Sequence, residues 1–131
     1  MIAERGIRAI KVHDYLRDPA PGFAVLVDRL WPRGIRKADL ACDWYKTVAP
    51  SPELRKWFGH REDRFEAFAA QYQDELDEAY SQQLPELADL RDRAEEANAP
   101  DGEPLILLYA AKDREHNHAL VLARWLERHL R

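Results

Sequence analysis

The chain predicts an α/β domain, with a small, mostly parallel β-sheet of three to four strands flanked by helices. Three observations carry this. Two short apolar runs, residues 23–28 and 105–110, read as strands covered on both faces. Segments with apolar residues at helical spacing lie between and after them. A length of 131 residues suits one domain, 1–131, with one hydrophobic core.

The first element is residues 7–12, Ile-Arg-Ala-Ile-Lys-Val, whose alternation predicts a half-buried strand. Pro19, Pro21 and Gly22 mark a loop. The apolar run 23–28 follows as a central strand, and residues 43–48, Asp-Trp-Tyr-Lys-Thr-Val, as a third strand. In "APSPELRKWFGH" a short helix is expected, with Ser51 as N-cap, Pro52 at the first helical position and Gly59 just past the end. A long amphipathic helix over 62–80 presents Phe65, Phe68, Ala69, Tyr72 and Leu76 on one stripe. Another, over 84–98, presents Leu84, Leu87, Leu90 and Ala94. After the polar turn 99–104 comes the most apolar strand. Residues 112–131 then read as a closing helix, with Asp113 as its N-cap and Leu122, Trp125, Leu126 and Leu130 facing inward. Trp57, Phe65 and Phe68 are expected in the core.

Charge narrows the partners. Residues 1–59 carry +4, residues 60–103 carry −10 and residues 104–131 carry +2. The acidic middle repels a nucleic-acid backbone, so extended nucleic-acid binding is not expected. A local anion site at one end of the molecule is compatible with this distribution. No apolar run reaches the roughly 18–20 residues of a membrane helix, and the charged stretch Met1–Arg8 lacks a signal-peptide core. The expected compartment is the cytoplasm, and no membrane partner is expected. The single Cys42 agrees. The oligomeric state is not legible in the sequence.

The stretch "VDRLWPRGIRKADL" leaves a buried strand and sets Arg29, Arg33, Arg36 and Lys37 in one loop. Ligands of open parallel sheets bind beyond the carboxyl ends of the strands. Two strand ends supply polar loops here, one at Asp28-Arg29 and one at Ala110-Ala111-Lys112. If the strands are parallel, Arg29, Arg33, Lys112 and the first amides of the last helix converge. Arg brings a planar donor fork suited to phosphate or carboxylate. Helix N-termini favour anions. The bland alternative pairs Arg29 with Asp28 or Asp39 and leaves Arg36 and Lys37 solvated. Trp31, in the same loop, is suited either to stacking on a ligand or to plugging the sheet end. Asp28, at the end of a buried strand, is the best-placed carboxylate for proton transfer, with His118 the alternative. Asn117 and His116 fall near the same edge.

Other chemistries find little support. On one helix His116 and His118 lie about 200° apart, so no metal site is expected. No cofactor is expected either. The five glycines, at 6, 22, 34, 59 and 102, form no phosphate-binding loop. Cys42 has Val48, not Arg, six positions later, which excludes the phosphatase cradle.

Four stretches together, "VDRLWPRGIRKADL", "WYKTVAPSPELRKWFGH", "RFEAFAAQYQDEL" and "LLYAAKDREHNHALVLARWL", resemble the YeaO-like family (domain of unknown function 488), a bacterial family without an assigned function. The resemblance spans nearly the whole chain. It implies a compact α/β domain and no established activity. It emphasises Asp28, Arg29, Trp31, Pro32, Arg33, Gly34, Ser51, Leu54, Arg55, Phe58, His60, Lys112, Asn117 and His118. Arg55 and His60 thereby join the candidate ligand-binding residues. Whether the protein is an enzyme stays open. The favoured expectation is a pocket for a small phosphorylated or nucleotide-like anion. The alternatives are a non-catalytic module for a nucleotide or nucleic-acid end, and an interaction module using the acidic helices 62–98.

Overall fold

The computed structural model describes residues 6–130. Four parallel strands form one sheet in the order β1-β4-β2-β3. They are β1 (Ile7–Lys11), β2 (Phe23–Leu26), β3 (Asp43–Trp44) and β4 (Leu105–Tyr109). The helices are α1 (Val12–Arg17), α2 (Pro52–Phe58), α3 (Phe65–Ser81), α4 (Pro85–Ala97) and α5 (His118–Arg128). The expected α/β architecture is therefore present, and the sheet is parallel throughout. Among the described residues no helix is long and apolar enough to cross a membrane.

The period of two along the strands divides the interior into two layers. Val25, Val27, Leu105, Leu107 and Tyr109 face the larger core, against α2, α3, α4 and α5. Ala24, Leu26, Ile106 and Leu108 face a smaller core, closed by Val12 and Tyr15 of α1 and by Trp31, Leu40 and Trp44. Both faces of β2 and β4 are covered, which is why their sequences are continuously apolar.

Several elements differ from expectation. Strand β1 ends at Lys11, and α1 begins at Val12, a turn for which the alternating pattern carries no sign. Of residues 43–48 only Asp43–Trp44 pair, with Val25 and Leu26. Lys46–Val48 wind into a 3-10 turn that turns the chain toward α2. The closing helix starts at His118, not at 112, and Arg131 lies outside the described residues. Its N-cap is Asn117, whose side chain accepts from the Leu120 N–H at 3.0 Å. Asp113 instead closes a separate turn, accepting from the N–H groups of Glu115 and His116 at 2.8 and 3.0 Å. Trp57 is exposed, with the Arg64 guanidinium over its ring, rather than in the core.

Other expectations hold. Ser51 caps α2 through Leu54 N–H, Pro52 opens it, and Gly59 ends it in the left-handed region with φ of 53°. Phe68, Tyr72 and Leu76 are the buried stripe of α3. Leu87, Leu90 and Ala94 are buried on α4, and Leu122, Trp125 and Leu126 on α5.

A cation-rimmed cavity as candidate functional site

Because β2 and β4 are adjacent and parallel, the loops leaving their carboxyl ends meet. They are fastened by one residue. Asp28 Oδ2 accepts from the Ala110 N–H at 3.1 Å, tying the end of β2 to the end of β4. Its other oxygen lies 3.1 Å from His118 Nε2, with the two side chains only 16% and 15% exposed. The same imidazole nitrogen also lies 3.1 Å from the Val27 carbonyl oxygen and bonds to it. Asp28 Oδ1 is thus a buried acceptor without a hydrogen bond of its own.

The loop after β2 is held stiffly. The Trp44 indole N–H donates to the Asp28 carbonyl at 2.8 Å. The Trp31 indole N–H donates to the Ile35 carbonyl at 2.6 Å, and the two indoles meet edge to face at 5.5 Å. Lys37 lies over both rings. Trp31 is therefore both a plug of the sheet end and part of the cavity wall. Gly34, with φ of 78°, supplies the left-handed residue that turns the loop after Arg33.

These loops, α2, α3 and the start of α5 line an open cavity of about 750 Å³. All nine residues singled out from the sequence line it: Asp28, Arg29, Trp31, Arg33, Arg55, His60, Lys112, Asn117 and His118. Phe58, Phe68, Ala49 and Pro50 complete the wall, and Asp113 and His116 stand at it as well. Phe68 was legible only as core, because helical spacing does not distinguish a side chain under the core from one under a cavity floor.

The cations here lack carboxylate partners. Elsewhere Arg17, Arg36, Arg61, Arg91, Arg93 and Arg114 each meet an Asp or Glu within 4 Å. Among the described residues no such pair involves Arg29, Arg33, Arg55 or Lys112. The pairing of Arg29 with Asp28 or Asp39 is not formed; Asp39 is taken by Arg36. Arg29 is half-buried. It makes one hydrogen bond, 3.2 Å to the Pro50 carbonyl, and its Nε is buried without a partner.

The two histidines part company, though for a different reason than helix geometry. His116 precedes α5, and its Nδ1 lies 2.9 Å from Asp113 Oδ2 and 3.8 Å from Glu62 Oε1. The Glu115 N–H, and then the His116 ring, hold the Asp113 carboxyl below its usual pKa. Glu62, Asp113 and His116 offer three ligand atoms within 4.8 Å of one another. Both Asp113 oxygens are already hydrogen-bonded, and Glu62 is exposed. Protein purified without chelator is expected to carry no stoichiometric transition metal. One zinc, manganese or iron per chain by elemental analysis, lost in His116→Ala, would place an ion on this trio instead.

Residues 6–131 match the family model described as "Inactive DUF488-N3 subclade". The chain is 47% identical over 113 residues to the uncharacterized protein YeaO of Escherichia coli, covering 83% of this chain and 90% of that one. It is 40% identical over 127 residues to the uncharacterized protein Rv3073c of Mycobacterium tuberculosis, covering 96% and 98%. The uncharacterized protein Mb3100c of Mycobacterium bovis matches to the same extent. No solved structure matches. With a fold, a motif set and a match that run the length of the described chain, the protein belongs to the bacterial YeaO-like DUF488 family.

Proposed function

We propose that the cavity binds a small phosphorylated or nucleotide-like anion, and that it does so without turnover. The observation that carries this is the state of Arg29. A half-buried guanidinium keeps its charge at any physiological pH. Without a carboxylate it bears a desolvation cost that a bound anion offsets. Arg33, Arg55 and Lys112, also without carboxylate partners, add positive potential at the same opening. Binding without chemistry is supported by the description of the matching family model as an inactive subclade.

Anions that bind only the folded state raise the melting temperature. At one hundred times the dissociation constant the gain is about 2.7 kcal/mol, or several degrees for a chain of this size. A screen of phosphate, sulfate, nucleotides and sugar phosphates is expected to find such a rise. Arg33 is exposed and has no partner, so Arg33→Ala changes intrinsic stability by no more than about 0.5 kcal/mol. The anion-induced rise is expected to vanish in Arg33→Ala and to shrink in Arg33→Lys, since an ammonium does not reproduce the bidentate fork. An equal rise in wild type and Arg33→Ala would move the ligand elsewhere.

One observation favours a second, catalytic reading: a carboxylate and an imidazole, Asp28 and His118, stand 3.1 Å apart in the wall of the cavity, and both residue types serve in proton transfer. It demands conversion of a bound ligand, followed by chromatography, that disappears in His118→Asn while binding persists.

A further inference from the structure

Resting on the anion-binding reading, we propose that the ligand is a nucleoside monophosphate, bound with its base inward and its phosphate at the mouth. The cavity has a buried end with an apolar and a polar side, and an exposed cationic rim. One side of its buried end is apolar, where Phe68 is 1% exposed, Phe58 5% and Ala49 8%; the other is polar, formed by buried Asn117, the Asp28 and His118 side chains and half-buried Arg29. Phe58 and Phe68 stack on each other at 4.3 Å, which fixes both rings. Three of its cations, Arg33, Arg55 and Lys112, are exposed at the opening, with Arg29 deeper. An inorganic anion would leave the apolar side unused.

Size points the same way. At about 30 Å³ of liquid volume per water, a cavity of about 750 Å³ is far larger than phosphate or sulfate requires. It falls within the range of pockets that enclose a small organic ligand. This lining selects a ligand with a planar body, apolar on its faces and polar at its edge, and one compact anionic group. A triphosphate does not suit it. The common triphosphate cradle of consecutive backbone N–H groups in a glycine-rich loop is not built here, where the only glycine of the loop after β2 is Gly34, used for the turn.

The test is a titration series on the full chain by calorimetry: AMP, GMP, CMP and UMP, then ribose 5-phosphate, inorganic phosphate and the free nucleosides. At least one monophosphate is expected to bind about tenfold or more tighter than ribose 5-phosphate, the loss expected when a stacked base is removed. The matching nucleoside is expected to bind weakly, and Arg33→Ala is expected to bring the monophosphate down toward it. Phe58→Leu, which keeps the wall apolar but removes the ring, is expected to weaken the monophosphate and leave ribose 5-phosphate unchanged. If ribose 5-phosphate and phosphate bind as tightly as every monophosphate, the base-inward inference fails while the anion site stands. If a nucleoside binds as tightly as its monophosphate, the phosphate-at-mouth inference fails and the anion reading with it. If nothing in the series binds at millimolar concentration, both fail.

Discussion

Phe68→Ala is expected to lower the melting temperature by roughly 10–20 °C, the largest effect of any single change considered. Phe68 is 1% exposed and lies within the ring series Phe58, Phe65, Phe68 and Tyr72, which joins α2 to α3. Truncating a buried Phe costs about 3–5 kcal/mol, because the lost transfer energy is joined by an unfilled void. For a chain between the 60–100 and 150–250 residue classes that is about 3–5 °C per kcal/mol. The void opens onto the cavity, so water entering it would relieve part of the cost. Phe68→Leu, which keeps most of the volume, is expected to lose less than half as much. Thermal unfolding by circular dichroism decides it. A shift below about 5 °C in Phe68→Ala would mean that the α2–α3 packing contributes little to stability.

The second large effect concerns Asp28, which has a structural task whatever else it does. Its Oδ2 receives the Ala110 N–H, and its Oδ1 faces His118. In Asp28→Asn the amide oxygen can keep the Ala110 bond, but the amide N–H₂ then faces an imidazole nitrogen that already donates to Val27. Two donors confront each other in a site nearly closed to water, at a cost of about 1–3 kcal/mol. The expected drop is about 4–12 °C. Asp28→Ala removes the acceptor of a buried N–H as well and is expected to fall further. A melting temperature equal to wild type in Asp28→Asn would free Asp28 from this role and strengthen its candidacy for proton transfer. A drop well above 10 °C would make its effect on ligand or chemistry inseparable from folding.

Much of the fold was legible because β2 and β4 are covered on both faces and carry no polar interruption. The caps of α2 were legible because Ser, Pro and Gly act through local backbone chemistry. Helix α1 was not, since six residues leave too little periodicity to separate helix from strand. The start of α5 was misplaced because Asp113 and Asn117 are both competent caps, and only the tertiary position of the 110–117 segment selects Asn117. That segment is fixed from outside by Arg114, which binds Asp14 of α1 through two bonds of 2.9 Å, a contact between residues one hundred positions apart. The site residues were legible because a parallel sheet sends its strand ends to one edge. The partners that hold them were not. Arg29 bonds to the Pro50 carbonyl, and His118 to the Val27 carbonyl, and a main-chain oxygen leaves no mark in a list of side chains.

The strand order has a consequence for how the chain reaches this state. β4 lies between β1 and β2, so these two never touch each other, and until β4 arrives β1 has no strand partner and β2 only the two-residue β3. Ile7 pairs with Leu105, and closing so long a loop costs entropy before the β1–β4 contacts return it. Non-local parallel pairing of this kind is slow to form compared with the local contacts of helical bundles. Until residues 105–109 insert, β1 and β2 expose unpaired edges whose Ile, Val and Leu side chains invite wrong partners. Refolding yield should therefore fall steeply with protein concentration. A short peptide spanning β4, added in trans during refolding, should compete for the slot between β1 and β2 and lower the yield further.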